Sequence, residues 1–271
     1  PMITSVSGIN LFVTGAQARP LAIPSSGGFG LSGFSGSAAS QARRNAMDQI
    51  RSLDQDEILV RSTSETTSQA VNLSATLNPI LTSTTSAILP LFAGLNTGIA
   101  RQLQQVARLI EARATLRLKR QIFFCSLGGF DTHNNQLTTQ AGLFAQLDAA
   151  MRAFYDATAQ LGVAPQVTTF TLSDFGRTLK VASGGGTDHA WGSHHLIMGG
   201  AVRGGNFYGT FPTLALQGPD DISREGRWLP TTSVDQYGAT LAAWFGVDPG
   251  TMTAVYPNLG QFAAPDLGFM S

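Results

Sequence analysis

The chain has a single cysteine, Cys125, so no intrachain disulfide can staple it. With 271 residues it buries enough surface to hold together by its core alone. Apolar runs of membrane length are also missing. The longest candidate, around Ala87 to Leu95, is interrupted by Pro90 and falls well short of the ~20 residues a span requires, so no membrane span is expected. Charge is scarce: 13% of residues are charged, about half the usual ~25%, and 17 basic residues balance 17 acidic ones. That balance supplies no global field for nucleic acid or an anionic membrane, although a small anionic ligand stays compatible with it. Nucleotide and serine-hydrolase signatures are absent as well, since neither G-x-x-x-x-G-K-[ST], a strand-linked G-x-G-x-x-G nor G-x-S-x-G occurs. The chain opens without an initiator Met on Pro1-Met-Ile-Thr-Ser-Val6, which reads as a strand under way. Its numbering is therefore expected to start inside a longer precursor.

What is present is a pattern of alternating elements. A short strand over residues 2–6 leads into Gly, Ser and Pro-rich sequence, and residues 20–40 are expected to form a long loop or lid. Ala42, Ala46, Ile50 and Leu53 recur at helical spacing. The Ser/Thr-rich stretch 62–86, punctuated by Pro79 and Pro90, leans to helix. A clearer helix follows Asn96-Thr97, with Ile99, Leu103, Val106 and Ile110 on one side and a basic tail. The apolar run Gln121 to Leu127 has the character of a buried parallel strand, and Cys125 reads as a packed residue within it. Leu143, Leu147, Met151, Phe154 and Leu161 mark a long helix that Gly162 can end. Strands follow at Val167–Leu172 and from Leu196, and Ser233-Val-Asp-Gln236 has the capping-box form before a last helix. This order predicts a single α/β domain over 1–271, with a mostly parallel central sheet, helices on both faces, and the ligand site at the strand C-terminal ends.

All four histidines, His133, His189, His194 and His195, lie between Asp131 and His195, together with Asp174 and Asp188. Neutral imidazoles and carboxylates gathered without cysteine suit a divalent metal such as zinc or manganese. In an extended Asp131-Thr132-His133 the two ligand types leave the same face. Asp188 and His189 are adjacent, so shared ligation needs a turn, which the glycines at 184–186 and 192 permit. At most one of His194 and His195 faces the site, and His194 is the better candidate. Arg177 has the fork geometry to anchor a tetrahedral anion, or it pairs with Asp174 or another acid. Ser173 and Thr132 read as turn hydroxyls rather than nucleophiles.

Five separated segments carry a family resemblance: Gly128-Gly-Phe-Asp-Thr-His133, Ser173-Asp-Phe-Gly-Arg-Thr178, Gly186-Thr-Asp-His189, Gly199-Gly-Ala-Val-Arg-Gly-Gly205 and Gly226-Arg-Trp-Leu-Pro-Thr-Thr-Ser-Val-Asp-Gln-Tyr237. In order, from about Gln121 to Phe262, they resemble the bacterial domain of unknown function 1501, and upstream of Gln121 the likeness is looser. The resemblance implies an alkaline phosphatase/sulfatase-like fold with a two-metal site (Zn, Mn, Mg or Ca) acting on phosphate or sulfate esters. It implies Asp131 and His133 at one metal, Asp174 or the Asp188-His189 pair at the other, and His189 or His194 completing the set. It further implies twin-arginine export to a periplasmic or secreted location, and a protein partner or a missing N-terminal segment that completes the fold. A Gly-Gly-Asn-Asp-Gly-type strand and the superfamily nucleophile, expected near the start, are not found in this sequence. The expectation is thus either the C-terminal portion of a precursor or a degenerate binding form with half a site.

Overall fold

The computed structural model describes residues 3–15, 17, 18, 20–31, 34 and 36–271, which fall into two compact units, Pro1–Ser126 and Leu127–Ser271. Met2 of the expected first strand, and residues 32, 33 and 35 of the expected loop, lie outside the described residues.

The first unit runs from β1 (Ile3–Ser5) and β2 (Leu21–Ala22) through the helices α1 (Ala38–Arg51), α2 (Ile58–Leu81), α3 (Gly98–Glu111) and α4 (Arg113–Leu116) to β3 (Ile122–Phe124). The sheet order is β2-β1-β3, and β1 runs parallel to both neighbours, with Thr4 opposite Leu21 on one side and Phe123 on the other. Helix α2 covers most of the Ser/Thr-rich stretch. Its hydroxyls are satisfied on the helix itself, since Thr63, Thr66 and Thr67 donate to the carbonyls of Leu59, Ser62 and Thr63 four residues back. Pro79 sits within the last turn of α2 and does not break it. Thr97 caps α3, whose Ile99, Leu103, Val106 and Ile110 are buried as the spacing predicts. Part of the expected loop is tied down by amide side chains: Asn78 exchanges two hydrogen bonds with the Phe29 backbone, and the buried Gln105 donates to the Gly27 carbonyl.

The second unit contains α5 (Gln136–Gln160), β4 (Thr168–Phe170), β5 (Gly176–Arg177), β6 (His189–Ala190), β7 (Ile197–Gly199), α6 (Val234–Phe245) and α7 (Met252–Val255). Gly162, at φ +68°, follows the end of α5 as expected. Ser233 and Gln236 form the capping box of α6, whose Tyr237 and Leu241 pack with Phe269 in the core.

The expectation of one mostly parallel sheet needs correction. Among the described residues parallel pairing is confined to β2-β1-β3, whereas β4 pairs antiparallel with β7 and β5 antiparallel with β6. An apolar run followed by glycines announces a strand but carries no information on its partner or direction. The short return between β5 and β6 suits antiparallel pairing, which needs no long crossover.

Candidate metal centre

The site is assembled on the β5–β6 ribbon and the turn that enters α5. Arg177 and His189 are directly opposed in the ribbon, so their side chains share a face. The glycine turn then brings in the other half. Two backbone N–H groups at the start of α5, those of Asn135 and Gln136, donate to the carbonyls of Gly184 and Gly185 at 3.0 Å each. These are donors a helix N-terminus leaves without internal partners. Thr187 donates to the Thr132 carbonyl at 3.2 Å, and Gly186 lies flat against His133. Asp131-Thr-His133 and Gly186-Thr-Asp-His189 are therefore laced together backbone to backbone, with Thr132 and Thr187 buried beneath.

Above the lacing, the Asp131 Oδ1, His133 Nε2 and His189 Nε2 atoms form a triangle. Both imidazole nitrogens are 2.9 Å from the carboxylate oxygen and 3.2 Å from one another. All three side chains are about half exposed. Asp131 Oδ1 also accepts a hydrogen bond from Arg177 Nη1 at 2.9 Å. The His189 contact does most to hold the Asp131 carboxyl below the ordinary carboxylate range against desolvation, with Arg177 and His133 adding to it. The His189 ring stacks on Phe175 at a centroid separation of 3.9 Å, which fixes its plane.

The triangle fits the needs of a divalent ion. Two imidazoles and a carboxylate are a common donor set. Ligand atoms ~2.1 Å from one ion lie about 3.0 Å apart at right angles and about 3.4 Å apart in a tetrahedron; the observed edge of 3.2 Å falls between the two, and the two edges of 2.9 Å lie just below the right-angle spacing. These three residues are the group of described side chains whose donor atoms lie close enough together to hold an ion.

The other sequence candidates are placed elsewhere. Asp188 Oδ1 is 3.9 Å from the far nitrogen, Nδ1, of His133 and outside the triangle. Asp174 is exposed beyond β4 and outside the group. His194 stacks on Phe211, and His195 faces Tyr237, with its burial and the neighbouring His194 lowering its pKa. Arg177, nominated as an anion anchor, directs its donors at the protein: Nη1 at Asp131, Nη2 at the Thr132 and Thr187 carbonyls, and Nε at the Thr187 hydroxyl. Sequence reading passed over Thr187, Phe175 and Gln136. The first two lie inside the quoted motifs, but no local pattern singles out Gln136.

The family model for a protein of unknown function, DUF1501, matches residues 11–256. The chain belongs to the DUF1501 family. That DUF1501 match begins far upstream of Gln121, so the first unit shares in the family likeness more than the quoted motifs suggest. No curated protein and no solved structure matches this DUF1501 chain.

Proposed function

We propose that this DUF1501 chain binds a divalent metal ion through Asp131, His133 and His189 and is a hydrolase of phosphate or sulfate esters acting outside the cytoplasm. The observation that carries the metal part is the triangle of donor atoms on an exposed face. The ester chemistry and the location are what the resemblance to the DUF1501 family implies, the first through that family's grouping with sulfatase-like proteins and the second through its usual export signal. A bound divalent ion would supply Lewis-acid stabilisation of charge on the ester oxygens. The chain's own residues hold the ligands in place: Phe175 sets the plane of the His189 ring, and Arg177 holds the Asp131 oxygen.

A second reading is a metal-binding protein without turnover that uses its surface for assembly. Trp191, Phe207, Phe211 and Leu229 favour it, being large apolar side chains left exposed in the second unit. Metal analysis of the purified protein, with turnover of aryl phosphate and aryl sulfate, separates the two. The hydrolase reading expects stoichiometric metal and turnover lost in Asp131→Ala and His189→Ala. Stoichiometric metal with no turnover of either ester favours the second reading, and a metal-free protein indifferent to added Zn2+ or Mn2+ rejects both. No helix among the described residues is long and apolar enough to cross a membrane.

A further inference from the structure

The first turn of α5 reaches the triangle through a chain of hydrogen bonds whose direction can be assigned donor by donor. Arg177 has only donors, so the Thr187 hydroxyl accepts from its Nε at 3.1 Å and must send its own hydrogen elsewhere. The Gln136 side-chain oxygen receives it at 2.7 Å. The same oxygen lies 3.1 Å from the hydroxyl of Thr132, which in turn is 3.3 Å from the Gln140 amide nitrogen. Both threonines are buried, at 4% exposure each, so neither hydroxyl has water as a ready substitute. With Nε fixed on Thr187 and Nη2 on the two threonine carbonyls, the guanidinium plane is set, and Nη1 is left aimed at Asp131 Oδ1.

We propose that Gln136 and Thr187 are positioning residues for the metal ligand Asp131, acting through Arg177. The inference rests on the metal reading above and adds what that reading lacks, a reason for the carboxylate to stand in one orientation before an ion arrives. Partners of metal ligands fix ligand geometry in this way, and their loss typically weakens metal binding by 10 to 100-fold. Arg177 thereby belongs to the protein's own scaffold rather than to the binding of a substrate anion.

The test is titration of the full chain with Co2+, followed by visible absorption, and with Zn2+, followed by calorimetry. Thr187→Val keeps the shape and removes the acceptor for Arg177, and Gln136→Met removes the oxygen that orients Thr187 from a half-buried site where folding is less at risk. Both are expected to bind roughly 10 to 100-fold more weakly and to change the Co2+ bands. Thr187→Ser and Gln136→Glu, which keep the hydroxyl and the acceptor, are expected to restore the wild-type spectrum. Wild-type affinity and spectrum in a folded Thr187→Val or Gln136→Met would overturn the inference alone. A wild-type chain that binds neither ion overturns the metal reading and the inference with it.

Discussion

At the residue scale the centre depends on a missing side chain as much as on the ligands. A Cβ on Gly186 would fall 2.0 Å from the His133 carbonyl carbon and 2.4 Å from the Thr132 carbonyl oxygen. Those are backbone atoms, already committed to the lacing between the two halves of the site, and they cannot swing aside as a flexible side chain would. Gly186→Ala is therefore expected to push the Asp131-Thr-His133 turn away from β6. Overpacking of this kind typically costs about 1–3 kcal/mol. Chemical denaturation should register that loss, and metal titration should find weaker binding in the fraction that folds. Unchanged stability and affinity would mean that the close approach is not needed.

The scale of single elements also separates what was legible from what was not. Ser233 can be recognised as an N-cap from its spacing to Gln236, and in the structure its hydroxyl accepts from the Asp235 N–H while Gln236 accepts from the Ser233 N–H. Ser233→Ala is expected to cost about 0.5–2 kcal/mol, visible as a lowered unfolding midpoint, with Ser233→Asp retaining most of the stability. A midpoint equal to wild type in the alanine variant would deny the cap any role. The helices α3 and α5 were similarly readable, because apolar spacing and a capping or terminating residue are local features. Helix α2 was only partly so: its threonines count against helix by composition, and only their donation to carbonyls four residues back reconciles them with it. Strand pairing was readable only in part: Gln121 to Leu127 reads as a parallel strand and β3 does run parallel to β1. Val167–Leu172 reads as a strand of the expected mostly parallel sheet, yet β4 pairs antiparallel with β7. At the site, the two-residue spacing of Asp131 and His133 placed both on one side of the buried Thr132. The selection of His189 over Asp188, Asp174 and His194 required the register of β5 against β6.

For the molecule as a whole, titration at acid pH is distributed unevenly. The carboxylates whose pKa values are clearly lowered among the described residues, Asp131, Asp221 and Glu225, all belong to the second unit. Asp221 is the most perturbed. Desolvation alone would raise it, but backbone N–H donation from Gln217, Gly226, Ser223 and Arg227 outweighs that and pulls it to about 2 from an ordinary value of 3.8. A depressed folded-state value means that the unfolded chain binds the proton more readily. The contribution is complete above 3.8 and is lost as the pH falls from there through about 2. The three tryptophans, Trp191, Trp228 and Trp244, all lie in this same unit, and the buried Trp228 forms a β-bridge with Asp221 itself. Much of the helix content, α1 to α3, lies in the other. Acidification over this range is therefore expected to change tryptophan fluorescence before the far-ultraviolet circular dichroism signal. In Asp221→Asn, which cannot lose the charge, the fluorescence transition should begin from a less stable protein and vary less with pH. Coincident transitions in the wild type, or an unaltered pH profile in Asp221→Asn, would show that the Asp221 turn does not govern acid stability.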